Sequence, residues 1–170
     1  MSLRVFIRKP VIKDWQELVL LHQKSKGFHF PWVFPSLTEK ECKNYIRRCQ
    51  KEEFEGLLIC HVDNRKIVGV ANFSQIIHGF FHNAFLGYYV SVDYAGQGLM
   101  IEGISLAIDH AFHNLALHRI EANIQPENIP SIKLVQRLGF TKEGFSRRYL
   151  KINGEWCDHE RWALTVEDWL

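Results

Sequence analysis

The stretch Gly87–Gly103 reads GYYVSVDYAGQGLMIEG, and its reading decides the fold. Tyr88-Tyr89-Val90-Ser91-Val92 is a β-branched and aromatic run, the end of a strand expected over Ala84–Val92. The chain then turns through Asp93-Tyr94-Ala95-Gly96-Gln97-Gly98 and becomes helix-periodic, with Leu99, Ile101, Ile104, Leu106 and Ile108 along Leu99–Phe112. A strand, a glycine turn and a helix N-terminus together make an anion site. The first helical N–H groups are unpaired, the dipole there is positive, and glycines let the backbone close on a phosphate. The plainer reading is a tight turn that uses glycine for its positive φ. Spacing alone leaves both open.

Three phosphate motifs compete for the turn. A P-loop needs Lys-Ser or Lys-Thr after the last glycine, and Gly98 is followed by Leu99-Met100. A dinucleotide fingerprint needs a third glycine at position 101, which is Ile101. The third is the acyl-CoA pyrophosphate loop of the GNAT N-acetyltransferases, Gln/Arg-x-x-Gly-x-Gly/Ala. Ala95-Gly96-Gln97-Gly98-Leu99-Met100 resembles it with two departures, Ala95 for the polar residue and Met100 for the small one. The downstream segments His118–Asn123, Pro126–Ser131 and Arg137–Gly144 resemble the second half of the same family. Val68–Ser74, Leu86–Tyr88 and Gly98–Glu102 are similar to its Rim branch, whose members acetylate the N-terminal residue of ribosomal proteins, and most to the RimJ type. The likeness runs from about Arg4 to Trp169.

Composition agrees with a soluble catalytic domain. The 170 residues suit one domain spanning 1–170, with ordinary hydrophobic and charged content. A formal net charge of +2, with no basic run longer than Arg47-Arg48 or Arg147-Arg148, argues against direct nucleic-acid binding. Cys42, Cys49, Cys60 and Cys157 form no disulfide or metal pattern and read as reduced thiols of a cytoplasmic protein. No apolar stretch approaches a membrane span and nothing resembles a signal peptide. His110 and His113, and His78 and His82, lack further ligands at metal spacing, so no metal is expected.

In chain order, a short strand over Arg4–Arg8 is followed by a helix from Trp15 to about Lys24, with Asp14 as its N-cap. The aromatic segment Gly27–Pro35 reads as neither helix nor strand. It covers either the core or, as the family resemblance implies, the acceptor site, with Phe30 and Trp32 against the substrate. Thr38-Glu39-Lys40-Glu41 fits a capping box for a second helix reaching about Glu53. Strands follow over Gly56–Val62 and Ile67–Ile77, then the strand and helix already described. Next come a strand over Arg119–Gln125, a short helix Pro130–Leu138, and a hairpin pairing Ser146–Ile152 with Trp156–Leu164 about Asn153-Gly154. The order β-α-α-β-β-β-α-β-α-β-β is that of the acetyltransferase fold, an α/β (α+β) architecture. Its mixed, strongly bent central sheet is flanked by helices on both faces.

The resemblance implies acetyl-CoA as cofactor, held by the backbone amides of Gly96, Gln97, Gly98, Leu99 and Met100. Val90 and Val92 would supply backbone contacts to the pantetheine, and an N–H near Tyr89–Val90 would face the thioester oxygen. Asn128 would lie beside the pantetheine and Ser131 near the sulfur as donor to the departing thiolate; helix capping is the alternative for both. A related branch places a tyrosine four residues after that serine, where this chain has Val135. Asn123 stands where the alanine transferases place a base carboxylate. Glu121, on the same strand face, is the nearest substitute. A protein α-amine, with pKa about 7.7–8.0, is partly neutral without a strong base, whereas a lysine near 10.4 is not.

The expected activity is therefore transfer of acetyl from acetyl-CoA to the N-terminal α-amine of a protein, a ribosomal protein by resemblance, with no membrane partner. Acetylation of a small amine (polyamine, aminoglycoside or amino acid) and a non-catalytic acyl-CoA-binding module are the alternatives.

Overall fold

Leu57, Leu58, Ile59 and Cys60 are consecutive and all fully buried, which an alternating strand achieves only when both of its faces are covered. They lie in β2 (Phe54–His61), second from one edge of a seven-stranded sheet in the computed structural model, which describes residues 2–169. The other strands are β1 (Val5–Arg8), β3 (Ile67–Ile77), β4 (Asn83–Val90), β5 (Arg119–Ile124), β6 (Thr141–Ile152) and β7 (Glu155–Thr165). Their order across the sheet is β1-β2-β3-β4-β5-β7-β6, and every neighbouring pair is antiparallel except β4–β5.

Helices α1 (Trp15–His29) and α2 (Glu39–Arg48) pack Leu18, Leu21, Cys42 and Ile46 on one face, against Leu58, Cys60, Ile67 and Val70. On the other face α3 (Leu99–His113) and α4 (Ile129–Arg137) bury Ile104, Ala107, Ile108 and Val135 against Leu57, Ile59, Ala71, Phe73 and Ile120. The alternation of β3 switches at a bulge between Ile67 and Gly69, where the register to Ile59–Cys60 shifts by one. A short helix, α5 (Val166–Trp169), follows β7.

The element order and the mixed sheet are those expected. Asn153 (φ 47°) and Gly154 (φ 88°) make the two-residue hairpin turn, with Ile152 opposite Glu155. Thr38 caps α2 by accepting from the Glu41 amide at 3.3 Å, while the Glu41 carboxylate accepts from the Thr38 hydroxyl and the Leu37 amide.

Four local expectations change. The second helix, expected to reach about Glu53, ends at Arg48 with Cys49 as its C-cap. The first helix runs past Lys24 to His29, taking in Gly27-Phe28-His29, because Ser25 and His29 continue its buried face while Gly27 lies on the open side. Asp14 does not cap it. Burial raises the pKa of its carboxylate, but two 2.8 Å bonds from the Arg8 guanidinium and one from the Val11 amide outweigh this and lower it below its ordinary value. The central strand ends at Val90, and Val92–Tyr94 form a 3-10 turn.

Candidate active site

The site begins where β4 parts from β5. Ser91 donates its amide to the Val68 carbonyl at 2.8 Å, so by antiparallel alternation Tyr89 and Gly87 also address β3. Tyr88 and Val90 therefore turn their backbone groups the other way. On that side β5 pairs with β4 only at Asn83, Ala84 and Phe85, which leaves the Tyr88 and Val90 amides in an open wedge.

The strand leads into the glycine turn. Gly96 (φ 74°) and Gly98 (φ 75°) are both left-handed, and Gly98 is the N-cap of α3. A Cβ on Gly96 would meet nothing within 4 Å, and one on Gly98 only the Arg4 guanidinium at 3.4 Å. The first amides of α3 thus sit at an uncrowded surface with the positive end of the helix dipole behind them. Met100 does not obstruct this surface. Its sulfur lies over Gly69 of β3, 2.5 Å from where a Cβ there would stand. Glu102, in the first turn, bonds to the Arg4 Nε at 2.7 Å, and Arg4 Nη1 donates to the Gln97 carbonyl at 3.1 Å. The carboxylate is therefore spent tying α3 to the head of β1 rather than facing an anion.

The opposite wall comes from α4 and the end of α1. Asn128 caps α4, its Oδ1 accepting from the Ser131 amide at 3.4 Å. Ser131 Oγ is 2.5 Å from the Tyr88 hydroxyl across the wedge. Lys133 and Arg137, four apart on α4, line the same cavity, as do Phe28, His29, Trp32 and Val33. This cavity measures about 460 Å³. Burial lowers the His29 pKa, so its imidazole is neutral; Nε2–H donates to the Val90 carbonyl at 2.7 Å, and the buried Nδ1 has no partner among the described residues. Among the described residues no Asp or Glu lines the cavity.

Of the residues expected from sequence, Val90, Gly96, Gly98, Leu99, Met100, Asn128, Ser131 and Trp32 line this one cavity. Gln97, Val92, Phe30, Glu121 and Asn123 do not. Gln97 turns its side chain back to the Asp93 carbonyl at 3.1 Å. The Val92 amide is taken by the Ser25 hydroxyl at 3.0 Å. Phe30 is exposed, its ring edge-on to Phe34. Glu121 accepts from the Arg119 Nε at 2.9 Å, and Arg119 is also held by Glu143. Asn123 has a buried Oδ1 with no partner among the described residues and does not line the cavity. The structure adds Tyr88, His29, Lys133 and Arg137. The i, i+4 spacing of Lys133 and Arg137 beside the expected Ser131 was a legible signal; His29 lay inside the aromatic segment Gly27–Pro35 without being singled out, and nothing local marked Tyr88.

The sequence profile of the acetyltransferase (GNAT) domain matches residues 4–141. The chain belongs to the GNAT acetyltransferase family. It is 46% identical over 177 residues to the ribosomal protein uS5-alanine N-acetyltransferase of Escherichia coli, covering 98% of this chain and 90% of that protein. It is 38% identical over 172 residues to the probable N-acetyltransferase YjcK of Bacillus subtilis, covering 96% of this chain and 95% of the relative. The crystal structure of ribosomal-protein-S5-alanine acetyltransferase from Vibrio fischeri superposes with a TM-score of 0.88 at 27% identity, over 100% of this chain and 97% of that one. RimJ of Mycobacterium smegmatis, solved with CoA-disulfide, also gives 0.88, at 26% identity over 96% and 82%.

Proposed function

We infer that this protein is an acetyl-CoA-dependent N-acetyltransferase that acetylates the N-terminal α-amine of a protein, with an alanine-starting ribosomal protein as acceptor. One observation carries the reading. The glycine cradle of α3, the open amides of β4 and the aromatic end of α1 meet in a single cavity that, among the described residues, no Asp or Glu lines. The 46% identity to an enzyme named for that acceptor supports the substrate class.

The residues fit acetyl-CoA, which supplies an activated acetyl thioester. The amides of Gly96, Gln97, Gly98, Leu99 and Met100, with Lys133 and Arg137 nearby, suit a pyrophosphate. The Tyr88 and Val90 amides offer strand-like hydrogen bonds along the wedge and a donor where negative charge develops; one such oxyanion donor is worth about 3 kcal/mol of transition-state stabilisation. The Ser131 hydroxyl is the donor available to the departing sulfur. Trp32, Phe28 and Val33 wall off the acceptor side. The amine arrives partly neutral, since an α-amine ionises near 7.7–8.0, and a wall without carboxylates has nothing to grip a polycation.

The test compares specificity constants for an alanine-starting peptide, an N-blocked lysine-bearing peptide and spermidine. The alanine peptide is expected to lead by at least about tenfold. Preference for either of the others would assign the enzyme to a different acceptor.

A further inference from the structure

We propose that Tyr88 is the positioning residue for Ser131: its phenol donates to Ser131 Oγ and so aims the serine's own hydrogen into the cavity, at the sulfur that leaves. This deepens the acetyl-transfer reading and rests on it.

The contact spans the wedge. Tyr88 lies three residues beyond Phe85, the last residue of β4 paired with β5, while Ser131 lies in the first turn of α4, beyond the end of β5. Both line the cavity. The Tyr88 oxygen is 2.5 Å from Ser131 Oγ and 3.3 Å from the Ser131 carbonyl. Either oxygen could donate in the shorter contact; a phenol is the more acidic hydroxyl and the better donor, so its one hydrogen is assigned to Oγ rather than to the more distant carbonyl. The serine amide is already fixed on Asn128 Oδ1, so the residue is held at two points and only its hydroxyl hydrogen remains free to turn. Position 135 offers no alternative donor. Val135 is fully buried in the core beneath α4.

Protonation decides between a relay and a positioning role. Burial pushes the Tyr88 phenol up to about 12, whereas a thiol ionises near 8.5, so the phenol is too weak an acid to surrender its proton to that sulfur. In the step, the C–S bond breaks and its electron pair goes to sulfur. The new C–N bond forms from the amine's pair, and the amine's proton goes to water. Ser131 stabilises the charge on sulfur by a hydrogen bond, and Tyr88 keeps its proton throughout. A hydrogen bond to a charged group of this kind changes an equilibrium by about 10- to 100-fold.

The experiment measures the pKa of the CoA thiol bound to the enzyme, from thiolate ultraviolet absorbance as pH is raised, in wild type, Tyr88→Phe, Ser131→Ala and the double variant. It is paired with acetyl-CoA steady-state kinetics. The expected result is a bound thiol about one unit more acidic in wild type than in all three variants, with the double variant no worse than either single one. Tyr88→Phe is expected to lower kcat about tenfold, with the KM for acetyl-CoA within about threefold. Ser131→Ala probes the same contact from the α4 side and leaves the β4 packing untouched, so the comparison survives even if Tyr88→Phe folds poorly. A Tyr88→Phe protein with the wild-type thiol pKa, additive losses in the double variant, or no thiol shift in wild type would each overturn the proposal. Absence of acetyl transfer in wild type would instead sink the functional reading, whatever the thiol titration gives.

Discussion

At Gly98 the backbone sits at φ 75° with only the tip of Arg4 near its missing side chain. A β-branched residue there pays the left-handed penalty, about 1–2 kcal/mol even for an ordinary side chain, and the loop relaxes away from it. None of the buried core touches the position, so the damage stays local. Gly98→Val is expected to remain folded by circular dichroism while its acetyl-CoA affinity, read by calorimetry, falls at least about tenfold; unchanged affinity would remove the turn from the binding site. A neighbouring residue shows how a departure from the family motif is accommodated. Met100 replaces a small residue, but its side chain turns inward over Gly69, whose missing Cβ leaves room for the sulfur. The amide of Met100 stays at the helix N-terminus. The large residue and the glycine, 31 positions apart in sequence, are one packing unit.

At the scale of elements, α1 is joined to the end of β4 by polar side chains on its buried face. His22 Nδ1 donates to the Ser36 carbonyl at 2.6 Å and its Nε2 accepts from the Tyr89 hydroxyl at 2.7 Å. Ser25 accepts from the Val92 amide, and His29 donates to the Val90 carbonyl. The three contacts to Tyr89, Val90 and Val92 tie the strand end to α1, beyond the point where its pairing with β5 stops. They also carry a pH dependence. Burial pushes the His22 pKa down to about 4, and that of His29 moves the same way, while unfolded imidazoles take up protons near 6.5. The folded state therefore binds fewer protons than the unfolded state between those values. The stability from neutral His22 is fully present above about pH 6.5 and is lost as pH falls toward 4, amounting to about 3 kcal/mol. Urea unfolding of wild type and His22→Gln at pH 7 and pH 5 checks this. Wild type is expected to lose stability on acidification and the variant to lose less; parallel losses would place the sensitivity elsewhere.

For the whole molecule, the site is assembled from parts far apart in sequence: α1, β4, the turn into α3, and α4. A ligand seated among them binds the folded chain and not the unfolded one. At a concentration one hundred times its dissociation constant, it adds about 2.7 kcal/mol. For a domain of this size that corresponds to a rise of about 5–10 °C in the thermal midpoint. Acetyl-CoA is expected to give such a rise in wild type and a much smaller one in Gly98→Val at the same concentration. An equal rise in both would mean that binding does not use the glycine turn.

The sequence by itself determined the element order, the glycine turn ahead of α3, the Thr38–Glu41 cap and the Asn153-Gly154 hairpin, because each is written in residues a few positions apart. Gly96, Gly98, Leu99, Met100, Asn128 and Ser131 could be named together through the resemblance to the GNAT family, whose motifs lie at the glycine turn and at the start of α4. Only the tertiary structure decided which side chains reach the cavity. Glu121 alternates correctly along β5, yet it is drawn into the Arg119–Glu143 ion pairs, which spacing along one strand cannot reveal. His29 looked like part of an irregular aromatic loop because Gly27 and Pro31 mask the last turn of α1, which is held by bonds to a strand some sixty residues later. Tyr88 read as an ordinary strand aromatic, and its meeting with Ser131, 43 residues on, exists only because β4 and β5 part where they do. Local chemistry fixes turns and caps; long-range pairing and its interruption fix the site.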